Sequence, residues 1–142
     1  MSNFSIAELC VSESATRLGI NNVPSTIVLG NLKTLIDGLE KVRIILNGGS
    51  IHISSGYRSP TLNRSIGGAS SSAHCLGFAA DFTCKSFGSP EEITRIIENS
   101  NIKYDQLIYE GTWVHISFAP TMRQQTLTAT FTKGKATYSE FK

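Results

Sequence analysis

The sequence predicts an α+β fold on three observations. One long run keeps helical spacing, several short apolar segments suit strands, and strands and helices do not alternate in the regular way of a parallel sheet. The 142 residues suit one domain spanning 1–142. A 40% hydrophobic content can bury a core without disulfide or metal staples, so a metal site here would serve function before stability.

Taken in order, Ser5-Ile-Ala-Glu8 has the spacing of a capping box and opens a short helix. Asn21-Asn22-Val23-Pro24 breaks the chain. Ile27, Leu32, Leu35, Leu39, Val42, Ile45 and Leu46 then mark one apolar helix face, which Gly48-Gly49 stops. Ser50–Ser54 alternates as a strand that turns His52 to solvent between Ile51 and Ile53. Ser59-Pro60 opens a short helix through Leu62 and Ile66, and the small residues from Gly67 to Ser72 form a loop. Phe78–Thr83 is a buried strand. Ser89 caps a helix with Pro90 in its first turn and acidic residues next, running to near Asn99. Gln106–Tyr109 and Trp113–Phe118 are strands around Glu110-Gly111-Thr112, and Thr126–Phe131 with Ala136–Tyr138 make a terminal hairpin.

Charge excludes some functions. The net charge is +2, and Lys133 and Lys135 form the one weak basic cluster, which argues against nucleic acid as a partner. A mildly basic surface does suit an anionic polymer such as a cell wall. No stretch approaches the ~20 apolar residues of a membrane span, and the N-terminus lacks the basic-then-apolar pattern of a secretory signal. The expectation is a chain made in the reducing cytoplasm with Cys10, Cys75 and Cys84 free, delivered by other means if it acts outside.

The chemistry concentrates in Ser72-Ala-His74-Cys-Leu-Gly77-Phe-Ala79-Ala80-Asp81. His74 and Asp81 converge only if the chain turns at Gly77, with Ala79 and Ala80 leaving room beside a metal. Imidazole and carboxylate are good zinc ligands, and catalytic zinc sites take three protein ligands and leave one position for water. His115 is the candidate third ligand, because a strand sends Val114 and Ile116 to the core and His115 to the other face. Taken singly, a strand histidine is more often packed or exposed, and an aspartate in a strand more often caps a turn. Cys75 and Cys84 read as small buried apolar residues.

The pattern Ser-x-His-x-x-Gly-x-Ala-x-Asp from Ser72 to Asp81 resembles the signature of the M15 zinc peptidases, which share a fold with the hedgehog signalling domain. Ser55-Gly56-Tyr57-Arg58-Ser59-Pro60, with Asn63 and Gly67-Gly68, resembles that family's arginine segment. Gln106–Glu110 with Trp113-Val-His115-Ile-Ser117 resembles its second-histidine segment. The resemblance spans roughly Phe4 to Arg123 and implies a hedgehog/DD-peptidase-like domain, an antiparallel central sheet flanked by helices. It further implies one Zn2+ on His74, Asp81 and His115, Arg58 on the substrate carbonyl or carboxylate, and Ser72 on substrate or a ligand. The base is open: several family members carry Glu-x-x-His, but that position is Thr112 here. Glu110 is the candidate, brought back over the metal by a turn at Gly111, with Asp105 in reserve. The implied activity is hydrolysis of a peptidoglycan stem peptide, of D-Ala-D-Ala carboxypeptidase or L-Ala-D-Glu endopeptidase type. A phage endolysin, acting as a monomer, or a virion enzyme for wall penetration fits; the alternative is a zinc-binding module of the same fold with little turnover.

Overall fold

A computed structural model describes residues 4–68 and 72–142. Helices α1 (Ile6–Cys10), α2 (Glu13–Leu18) and α3 (Thr26–Ile45) precede strand β1 (His52–Ser55) and helix α4 (Pro60–Ser65). A 3₁₀ turn (Ala73–Leu76) leads into β2 (Ala79–Thr83), followed by α5 (Pro90–Glu98), β3 (Gln106–Tyr109), β4 (Val114–Ser117), β5 (Gln125–Thr132) and β6 (Lys135–Glu140). The α+β expectation holds. No helix among the described residues is long and apolar enough to cross a membrane.

Helix starts follow local chemistry. Ser5, Ser12, Ser25 and Ser59 each accept a backbone amide three residues on, satisfying a donor that the first turn leaves unpaired. The reciprocal capping box closes at Ser89 and Glu92. Helix α2 escaped the sequence reading, although Ser12 at its start and the left-handed Gly19 at its end are both ordinary signals. Helix α3 buries Leu32, Leu35, Leu39 and Val42 as expected, but Ile27 is 78% exposed because it lies off that face, and Val28 in the same turn packs against the core instead. Of the loop expected over 67–72, residues 69–71 lie outside the described residues, and Ser72 caps the 3₁₀ turn.

The strand order is β1-β2-β4-β3-β5-β6. All neighbours pair antiparallel except β3 and β5, so the antiparallel sheet expected from the family pattern carries one parallel pair where the terminal hairpin joins. Alternation divides the sheet into two faces. Ala80, Phe82, Leu107, Val114 and Ile116 share one core cluster with Leu32, Leu35, Leu39 and Val42 of α3 and Ile93 and Ile97 of α5. Ala80 therefore belongs to the core and not beside a metal, as the alternation of β2 requires. Direct cross-strand partners Asp81↔His115, His115↔Ile108 and Ile108↔Leu127 form a row on the opposite face.

Asp105, at the entrance to β3, fixes where that row ends. Its carboxylate accepts from Arg123 Nε and Nη2 at 2.9 Å each, from the Arg123 amide at 3.0 Å and from Thr121 Oγ1 at 2.9 Å. The Gln125 amide donates to the Asp105 carbonyl, so one residue pins the β4–β5 connection and aligns β5 on β3. Arg123's hydrogen bonds outweigh the cost of burial and hold the Asp105 carboxyl well below the usual carboxylate range. Because its folded pKa is depressed, the stabilisation is complete above the unfolded value of about 3.9 and is lost as pH falls below it. Asp105→Asn is expected to cost about 1–2 kcal/mol at neutral pH, the low end for charge-assisted bonds because Arg123 is half in water. Urea melts of both proteins check this: the gap between them should close below pH ~4.

Candidate metal centre

Three elements bring the predicted ligands together. The 3₁₀ turn carries His74, β2 carries Asp81 and β4 carries His115. Gly77, at φ +81°, reverses the chain between the first two, in a left-handed conformation that a side chain would disfavour. One ligand atom from each residue lies within 4.8 Å of the others. Asp81 Oδ1 stands 3.3 Å from His74 Nε2 and 3.0 Å from His115 Nδ1. The two imidazoles meet edge to face at 5.1 Å between centroids. His74 is 3% exposed and His115 9%.

Hydrogen bonding tests whether this set fits a cation. His74 Nδ1 lies 2.7 Å from the Gly56 carbonyl. A carbonyl only accepts, so Nδ1 carries the proton and Nε2 of the neutral ring presents a lone pair to Asp81. Burial lowers the His74 pKa, against the opposing pull of Asp81, which favours that neutral ring. Burial alone would raise the Asp81 pKa; positive charge and hydrogen-bond donation on the imidazole side, which a second proton on His74 supplies when no cation is bound, outweigh it and keep the carboxyl well below its usual range. A neutral nitrogen lone pair facing an ionised carboxylate is a repulsive pair that a cation between them turns attractive. Two imidazole nitrogens and one carboxylate oxygen suit zinc with a position left open. The residues fit a metal ion.

The centre lies in a cleft of about 730 Å³ whose lining includes Arg58, Ser72, Glu110 and Trp113. Gly111, at φ +83°, makes the turn that brings Glu110 into this cleft beside His115. Trp113 Nε1 donates to Glu110 Oε2 at 3.0 Å. Burial, with Asp81's charge, raises the Glu110 pKa. Thr112 is exposed. Asp105, the reserve base, is committed to Arg123 and does not line the cleft.

Arg58 Nη2 donates to Ser72 Oγ at 3.1 Å, and the Arg58 amide donates to the His74 carbonyl. Its Nε is buried without a partner among the described residues. Ser72 Oγ also accepts from the His74 amide at 3.2 Å, so this hydroxyl ties the arginine to the first ligand's loop. Cys84 is buried as expected, whereas Cys75 is only half-buried. His52 is exposed on the β1 edge, as its alternation predicted.

Sequence reasoning missed the Gly56 carbonyl, because a backbone acceptor leaves no mark in residue identity. It also missed Trp113, Phe131 and Tyr138 as cleft residues. Their strand alternation was legible, but which face the last two share with the ligands depends on how β5 pairs.

A family model described as Peptidase M15 matches residues 2–117. No curated protein matches the chain.

Proposed function

Since the chain belongs to the peptidase M15 family, we propose that it hydrolyses a peptide bond of bacterial peptidoglycan, using one zinc ion held by His74, Asp81 and His115. Membership makes it a metallopeptidase with a peptide-type substrate. The observation that carries the finer reading is the convergence of three donor atoms within 4.8 Å on the floor of a cleft that Glu110 also lines.

Bound zinc would polarise the scissile carbonyl and lower the pKa of a water toward ~7. Glu110 takes a proton from the attacking water at its carboxylate and gives it to the leaving amine as the C–N bond breaks. Trp113 holds Glu110 by one oxygen, leaving the other for that proton. Arg58, which lines the cleft, donates to the substrate carbonyl or carboxylate oxygen through its planar guanidinium. Ser72 keeps the guanidinium in position. A chain of this kind suits phage lysis or wall penetration.

Purified muropeptides digested with zinc-loaded protein and analysed by mass spectrometry test the reading. Expected are products that have gained one water at a single peptide bond, and none after chelation. Undiminished cleavage after chelation would refute the zinc mechanism. No product from the zinc-loaded protein would favour the second reading, a binding module, for which Thr112 at the Glu-x-x-His position is the one supporting observation.

A further inference from the structure

The family match ends at residue 117, yet the ligand-bearing face of the sheet does not. Strand β5 pairs with β3 in parallel and β6 follows it, extending the row Asp81–His115–Ile108 onto Leu127. Two strand spacings separate His115 from Leu127, roughly 10 Å. Residues alternate on this face, so those that follow Leu127 at even steps along β5, and their β6 partners, also look into the cleft. Phe131 pairs with Ala136 and Ala129 with Tyr138, and Phe131, Ala136 and Tyr138 all line it.

The hairpin supplies rings, and they are not core. Phe131 is 50% exposed and Tyr138 56%. Phe131 leans on Trp113 at 6.0 Å between centroids, and Trp113 in turn holds Glu110. Tyr138 is near enough to the centre that burial first, and then the charges of Glu110 and Asp81, push its phenol pKa up. At the other end of the cleft the lining turns polar, with Arg123 and the amide pair Gln106 Nε2 to Gln125 Oε1 at 2.8 Å. That bond leaves Gln106 Oε1 and Gln125 Nε2 to pair with a ligand or water.

An apolar peptide side chain would call for a closed apolar pocket. Here open ring faces carry a phenolic hydroxyl and adjoin a polar cleft. This combination matches a pyranose, which has an apolar C–H face and a rim of hydroxyl and acetamido groups. It also matches the position, because Phe131 leans on Trp113, whose indole holds Glu110, so the rings adjoin the residues beside the metal centre.

We propose that Trp113, Phe131 and Tyr138 form a sugar subsite, holding a hexosamine ring of the glycan strand while the attached peptide lies across the metal centre. The inference rests on the peptidoglycan reading and deepens it. The terminal hairpin thus makes the chain prefer sugar-bearing stem peptide to free peptide.

Two measurements on the zinc-loaded full chain test this. In the first, the free N-acetylhexosamine disaccharide is titrated while the ring resonances of Trp113, Phe131 and Tyr138 are followed by NMR, which needs no turnover. In the second, KM is compared for a disaccharide-bearing stem peptide and the same peptide without sugar. The expected results are shifts confined to those rings and a KM about tenfold lower for the sugar-bearing substrate, the order expected for covering one ring face. Phe131→Ala and Tyr138→Ala should each remove most of that preference, read within each variant as the ratio of KM for the two peptides. Tyr138→Phe should keep it. Both aromatics are half-exposed, so folding should survive, and thermal melts verify that. Equal KM values for the two substrates, or variants that weaken both alike, would overturn the subsite while leaving the peptidase reading intact. Ring shifts with the disaccharide but no cleavage of either peptide would overturn the peptidase reading and keep the subsite. Neither shifts nor cleavage would sink both.

Discussion

His74→Ala is expected to lose zinc and peptide cleavage together, with activity at background, while remaining folded. The imidazole supplies one of three donors, and two donors cannot define a tetrahedral site with one open position. Affinity should therefore fall well beyond the roughly 10–100-fold that losing a supporting hydrogen-bond partner costs. The substitution also strips the Gly56 carbonyl of its partner and removes the ring that packs edge to face on His115. An unpaired buried carbonyl costs about 1–3 kcal/mol, so the metal-free variant should melt lower than metal-free wild type. His52→Ala is the matched control: its ring is exposed, outside the cluster, and its loss should change neither metal content nor rate. Zinc stoichiometry by elemental analysis, read beside cleavage rate, decides the matter. A His74→Ala protein with one bound zinc and undiminished cleavage would refute the three-donor site. Acidification should act in the same direction, since ligands must be unprotonated to bind metal. The lowered His74 pKa means that this imidazole resists protonation below the usual value of about 6.5.

Much of this centre was legible in the residues. His74, Gly77 and Asp81 sit within ten residues, so their geometry is local, set by one 3₁₀ turn and one left-handed glycine. His115 was legible because strand alternation separates it from Val114 and Ile116, both fully buried. The long helix, the Ser89 cap and the terminal hairpin follow from periodicity and turn chemistry, which are also local. Strand order was not legible. That β5 pairs in parallel with β3 depends on Asp105 and Arg123, eighteen residues apart, and nothing in their spacing announces the bond. The same gap hid Phe131 and Tyr138, whose place in the cleft follows only once that pairing is fixed. Ile27 shows the limit of periodicity in the other direction. It lies about 140° around the helix from Leu32 and about 120° from Leu39, off the buried face, and its neighbour Val28, four residues before Leu32, is the one that packs against the core.

Glu110→Gln separates chemistry from metal binding more sharply than any ligand change. Glutamine keeps the side-chain length and can still accept from Trp113 Nε1, but it cannot take a proton. Glu110 is not one of the three convergent donors, so the zinc content should remain at one per chain. Loss of a general base costs typically about 10²–10⁴-fold, and kcat should fall by that order. The pH profile gives an independent reading. The wild-type rate should decline with acid as Glu110 takes up a proton; burial, then the negative charge of Asp81, raises its pKa in the metal-free chain, and the charge of bound zinc acts against that shift. That limb belongs to a group that must be ionised to work, and it should vanish in the variant. The stability sign is opposite to that of Asp105. A carboxyl with a raised folded pKa binds its proton more tightly folded than unfolded, so its ionisation at neutral pH opposes folding. In the metal-free protein, replacing it with a neutral amide should leave the melting temperature equal or higher, the usual signature of a residue kept for activity at some cost in stability. A variant that melts lower and loses zinc would make Glu110 a structural residue. One that keeps zinc with kcat reduced less than about tenfold would mean that the proton goes elsewhere.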